Sequence, residues 1–149
     1  MKTVRRTALA ALLSVLGLVA AGCDPATDAN ANADIEERLV GTWLRDYEER
    51  GTRVRRILVL EPGGHFRESS RSLGPAEPGT LHSHEGKWLY DGTNLKRHYT
   101  LMDGKPPAAP MVPFAAFQIA FQGPHAFVGT DNVRRRELNY RRVSDGTRP

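Results

Sequence analysis

Phe117-Gln118-Ile119-Ala120-Phe121-Gln122-Gly123-Pro124 is the stretch that decides the fold class of this chain. Phe117, Ile119 and Phe121 alternate with Gln118, Ala120 and Gln122, the period of two that places the large apolar side chains on one face of a β-strand. Gly123-Pro124 then supplies turn chemistry, one residue tolerating positive φ and the next presetting a bend. Beyond it His125 to Gly129 resumes an extended run, and the pair forms a strand, a turn and a second strand.

The same grammar extends in both directions. Trp88 and Tyr90 alternate with Lys87 and Leu89, and β-rich runs are expected over Val40 to Arg45, Arg53 to Glu61, Phe66 to Ser72, Leu81 to Tyr90, Asn94 to Met102, Phe114 to Gln122, His125 to Gly129 and Val133 to Val143. Pro62-Gly63-Gly64, Asp91-Gly92-Thr93 and Thr130-Asp131-Asn132 separate them as turns. Connections this short demand antiparallel neighbours. Eight antiparallel strands in series dispose of both sheet edges by closing, which predicts an all-β, single eight-stranded up-and-down barrel over residues 35–143. Residues 144–149 are expected to trail from it as a disordered tail. Ile57-Leu58-Val59-Leu60 is apolar on both faces, so a cover is expected on its outer side, from the Ile35 turn or from the loops. The Asp103 to Pro113 loop carries four prolines and reads as stiff and extended.

The beginning of the chain has a different character. Lys2, Arg5 and Arg6 precede an apolar run from Ala8 to Ala21, the layout of a secretory signal over residues 1–22. Ala20-Ala21-Gly22-Cys23 resembles the lipobox of bacterial lipoproteins, and that resemblance implies a lipidated Cys23, carrying fatty acyl chains such as palmitate. It also implies anchoring in a membrane of the bacterial cell envelope, with the domain facing the periplasm. Residues 23–34 contain no large apolar side chain and read as a flexible tether. Asp34 stands three residues before Glu37 as in a capping box, so Ile35 to Leu39 is expected to form a short N-terminal helical turn. Without Lys2, Arg5 and Arg6, the 21 basic residues fall to 18 against 17 acidic ones, a balance that argues against nucleic acid as a partner. Cys23 is the chain's single cysteine, so its acylation would leave no thiol for a disulfide.

Val40-Gly41-Thr42-Trp43, following a short helical turn, resembles the Gly-x-Trp opening of lipocalin-like barrels. The resemblance implies that Gly41 and Trp43 belong to the closed end of the barrel, with Trp43 covered by Arg141 or Arg142 from the last strand. Gly129-Thr130-Asp131 falls before the last strand, one turn later than the family's Thr-Asp-Tyr element. The small bacterial lipocalin-like lipoproteins are the group this chain resembles.

Residues that bear chemistry are few. His82 and His84 lie two apart on one strand face, as two metal ligands do, but no third ligand stands at a telling spacing, and no metal or other cofactor is expected. No Gly-x-Ser-x-Gly elbow or phosphate loop is present, and the chain does not read as an enzyme. Arg53, Arg55, Arg56, Arg67 and Arg71, with Arg134, Arg135, Arg136, Arg141 and Arg142, form either a phosphate-binding surface or a solvated exterior paired with Glu61, Glu68 and Glu137; the near-neutral balance favours the exterior. Trp88, Tyr90, Tyr99, Phe117 and Phe121 point inward and line either a filled core or a ligand cavity, since eight strands enclose space for side chains or for one small ligand. Met111 in the proline-rich loop would face the mouth. The sequence therefore predicts a barrel that binds a small apolar or amphipathic molecule, or a solid barrel that engages a periplasmic protein as inhibitor and immunity lipoproteins do.

Overall fold

The computed structural model describes residues 25–74 and 78–149. A helix, α1 (Pro25–Leu39), leads into eight strands: β1 (Gly41–Glu49), β2 (Thr52–Leu60), β3 (His65–Leu73), β4 (Pro78–Tyr90), β5 (Asn94–Met102), β6 (Phe114–Phe121), β7 (Ala126–Asp131) and β8 (Arg136–Val143). Each strand pairs antiparallel with its neighbour in sequence, and β1 pairs with β8 through Trp43 opposite Arg142, so the sheet closes into an up-and-down barrel. Closure leaves no free edge.

Turn chemistry sets the hairpins. Between β1 and β2, Arg50 and Gly51 both take positive φ (51° and 78°), the two-residue connection whose twist matches paired strands. Gly86 lies at a register shift between β4 and β5, where a Cβ would overlap the carbonyl oxygen of His98; only glycine lets the two strands approach this closely.

Several boundaries differ from those the sequence suggested, each for an identifiable reason. Helix α1 starts at Pro25 and not at Ile35, so residues 25–34 of the expected tether are helical and Asp34 stands mid-helix, not at a cap. Proline is at home in a first helical turn, and Ala26, Ala29, Ala31 and Ala33 carry the highest helix propensity. Thr130 and Asp131 extend β7, and the turn falls on residues 132–135, where Arg135 takes positive φ. The 144–149 segment is not a loose tail: Thr42 Oγ1 donates to Asp145 Oδ1 at 2.6 Å and Thr147 Oγ1 to the Ser144 carbonyl at 2.6 Å, folding the end back on β1. Nor does α1 cover the outer face of β2. Leu39 and Ile35 join the interior cluster at one end of the barrel, while Ile57 pairs with Leu44 on the outside.

The interior has two halves. Toward the end carrying α1 and the β2–β3, β4–β5 and β6–β7 turns, the space is packed with Leu39, Trp43, Leu60, Phe66, Trp88, Leu95 and Phe127, all buried. Toward the opposite end, where the Asp103–Pro113 loop lies, the inward positions become polar. The change comes within one inward step on four strands: Trp43 to Arg45, Leu58 to Arg56, Phe66 to Glu68 and Leu95 to Arg97. At about 3.4 Å per residue, that step puts the charged layer roughly 7 Å above the apolar one.

Candidate functional site

The sealed end is built around Trp43, which is wholly buried. Its Nε1 donates to the Leu39 carbonyl at 2.7 Å, and its ring meets Phe127 edge-on at 4.7 Å. Arg142 lies 4.3 Å over the indole, with Nη1 donating to the Val40 carbonyl at 2.8 Å and Nη2 to that of Arg38. Arg142 thereby ties the last strand, the helix and the first strand together; Arg141 points outward and is exposed. Gly41 makes room for this arrangement: its φ is +134°, and a Cβ there would clash with Arg142 Nη1 and sit 3.3 Å from Cζ. Trp88 closes the floor from the other side, donating from Nε1 to the Glu61 carbonyl at 3.0 Å.

The open half holds a charge cluster inside the barrel. Glu68, 3% exposed, accepts from Arg97 Nη1 at Oε2, while its Oε1 lies 3.3 Å from His84 Nδ1 and 3.6 Å from Arg56 Nη1. Arg56 Nη2 donates to the Tyr47 hydroxyl at 2.9 Å, and the Arg45 guanidinium lies 4.1 Å over the same ring. Burial opposes ionisation of Glu68, but Arg97, the hydrogen bond from His84 and Arg56 outweigh it and hold the carboxyl far below the usual carboxylate range. Burial likewise works against the charge on Arg97 and Arg56, and the Glu68 carboxylate more than compensates in both. Burial pushes the Tyr99 hydroxyl up to about 12. Arg45 differs from its neighbours. Its burial is not offset, its pKa falls, and among the described residues no carboxylate lies within ion-pair distance of it. The buried Arg97 and the half-buried Arg56 thus share one carboxylate, and the buried Arg45 stands beside them without one.

The arginine expectation is accordingly corrected in part. Arg55 and Arg67 are solvated exterior residues, paired with Asp46 at 2.8 Å and Glu61 at 2.7 Å. Arg56 and Glu68 are interior, because they share strand parity with Leu58 and Phe66. The sequence reading passed over Arg45, Arg97 and Tyr140 altogether. Their signal was the same alternation: Arg45 stands two from Trp43, Arg97 two from Leu95 and Tyr140 two from Leu138. His82 and His84 do not share a ligand position, since His82 Nδ1 lies 2.9 Å from Asp103 Oδ2 at the rim while His84 meets Glu68 inside.

A cavity of about 210 Å³ opens onto this cluster, lined by Arg56, Glu68, His84, Tyr99 and Arg134 on its polar side and by Met102, Met111, Val112, Phe114 and Ala115 on its apolar side. It adjoins a groove of about 540 Å³ that shares Met111, Val112 and Phe114 and extends to Phe117, Asp131 and Val133. Of the aromatics expected to face a ligand, Tyr99 lines the cavity and Phe117 the groove. Trp88 is core, and Tyr90 and Phe121 pack against the core in the sealed half. Met111 sits at the mouth, half exposed. A larger hollow of about 660 Å³ lies outside the barrel between α1 and β4, walled by Glu36, Glu37 and Pro62. It lacks buried groups wanting a partner, which the mouth has.

The fold and site together define a closed eight-stranded barrel, sealed and apolar at one end, charged and accessible at the other. No protein-family model matches the chain, and no curated protein sequence matches it.

Proposed function

We propose that the protein is a membrane-anchored lipoprotein, akin to the small bacterial lipocalin-like lipoproteins, whose barrel takes up one small amphipathic molecule through its open end without acting on it chemically. One observation carries the reading. The mouth cavity sets Met111, Val112 and Phe114 against Arg56, Glu68 and His84, a lining with an apolar and a polar side. A packed floor under Trp43 limits the ligand to the upper half, so the ligand is short or leaves its chain in the adjoining groove. The apolar ligand enclosed by Trp88, Tyr90 and Phe121 that the sequence invited is replaced by one held at the mouth.

Anchoring rests on the lipobox resemblance at Cys23, which lies outside the described residues. Helix α1 docks on the sealed end through Ile35 and Leu39, an arrangement that would hold the mouth away from the membrane. Native mass spectrometry of protein extracted from its own membrane tests the binding reading: a co-purifying small molecule at one per chain is expected, and a bare chain that none of a broad amphiphile panel stabilises against heat would end it. Cys23→Ser tests the anchor, with loss of labelling by radioactive palmitate expected and undiminished labelling refuting it. A second reading, engagement of a periplasmic protein, draws on the exposed Met111, Val112, Phe114 and Val133 around the mouth.

A further inference from the structure

Among the described residues four side-chain groups are buried without a hydrogen-bond partner: Arg71 Nε stands at outward parity on β3, while Arg56 Nε, Arg97 Nε and the Tyr140 hydroxyl belong to side chains at inward parity. Each such group carries the cost of a lost hydrogen bond. Arg45 stands opposite Arg56 on β1 and β2, Glu68 bridges Arg56 and Arg97, and Tyr140 lies one inward step from Arg142 on β8, the other neighbour of β1, so all four belong to one region of the interior. Glu68 accepts from none of the three inward groups: its oxygens face Arg97 Nη1, Arg56 Nη1 and His84 Nδ1. Arg45 and Arg97 are 8% and 3% exposed, and cations so removed from water are sustained by counter-charge. Among the described residues Glu68 pairs with Arg56 and Arg97 and leaves Arg45 without a carboxylate, and the mouth cavity reaches Arg56.

We propose that this locus is an oxyanion site. A carboxylate or phosphate group of the ligand enters among Arg45, Arg56 and Arg97 and accepts from them and from Tyr140, while the apolar part lies along Met111, Val112 and Phe114. The inference rests on the reading of the barrel as a ligand binder and names the ligand's chemical class. Guanidinium forks match planar carboxylate and tetrahedral phosphate oxygens, and hydrogen bonds to charged groups are the strong ones.

The test uses the full chain in phosphatidylcholine nanodiscs and four amphiphiles of one chain length: octanoate, octyl phosphate, octanol and octylamine. Each is titrated by calorimetry against protein-free discs. Octanoate and octyl phosphate are expected to bind at one per chain, the tighter of the two naming the headgroup, with octanol at least about tenfold weaker and octylamine silent. Arg45→Gln is expected to weaken both anions about ten- to a hundredfold and to leave octanol unchanged. Arg45 has no carboxylate partner to strand, and a thermal unfolding transition checks that the variant folds; if it does not, the headgroup comparison on the parent protein decides alone. Octanol or octylamine binding as tightly as octanoate, or Arg45→Gln weakening all ligands alike, overturns the oxyanion site while leaving a binding barrel. Absence of heat with all four overturns the binding reading, and the oxyanion site with it.

Discussion

Gly41→Ala offers a sharp test of how the barrel is sealed. The substitution touches neither a strand hydrogen bond nor an apolar contact, yet two costs are expected. The first is backbone strain: a residue with a Cβ held at φ +134° costs about 1–3 kcal/mol. The second is displacement of Arg142, since the new methyl would occupy the space of Nη1. Removing the guanidinium forfeits its charge-assisted bond to the Val40 carbonyl, worth about 1.5–3 kcal/mol at most in this half-buried setting, and its stacking on Trp43, worth about 1 kcal/mol. Gly41→Ala should therefore destabilise by about 3–7 kcal/mol, a large share of what a domain of this size commands. The mechanism is separable by a double-mutant cycle in urea. In an Arg142→Ala background the clash is gone, so Gly41→Ala should cost only the strain, about 1–3 kcal/mol. A Gly41→Ala cost that is equally large with and without Arg142 would refute the clash, and a variant as stable as the parent would refute both parts.

Two further expectations concern the open half. Glu68→Gln keeps the shape of the side chain but leaves Arg97 and Arg56 without their anion, and should cost about 3–5 kcal/mol at pH 7 in denaturant titrations. Because the folded pKa of Glu68 is depressed, its contribution is present above the unfolded value of about 4.3 and is lost as pH falls below it. The parent should accordingly lose stability from about pH 5 downward, and Glu68→Gln should show a shallower decline; identical acid slopes would sink the assignment. Met111→Asp sets a carboxylate at the half-exposed mouth, opposing an anionic ligand while burying nothing, so ligand affinity should fall with the melting temperature nearly unchanged. Equal affinity in parent and variant would place the ligand elsewhere.

The barrel was legible in the sequence because its two determinants are local. Alternation in Phe117-Gln118-Ile119-Ala120-Phe121 marks a strand whatever surrounds it, and Gly123-Pro124 or Asp91-Gly92 marks a turn by its own backbone chemistry. Trp43 and its cover by the last strand came through resemblance, and the structure chooses between the two arginines because Arg142, not Arg141, has inward parity. The N-terminal boundary was hidden for the opposite reason: residues 25–34 have no apolar stripe, and their helix follows from alanine propensity and from docking of Ile35 and Leu39 on the barrel end. The charged layer was the largest omission, and it shows what parity enforces. In a closed barrel every second residue faces inward, so a charged side chain at inward parity cannot avoid the interior by local adjustment; only a register slip would free it, and a slip would expel Trp43, Phe66 and Leu95 as well. Arg45, Arg56, Glu68 and Arg97 are thus held inside by the same core that closes the opposite end. Each lies one inward step from an apolar residue of that core, at the height where the packed floor stops and the cavity begins. A solid barrel needs no such layer, since apolar residues of similar volume would fill it at no loss of stability. Its presence on four strands at one level supports a built site over scattered accidents of sequence.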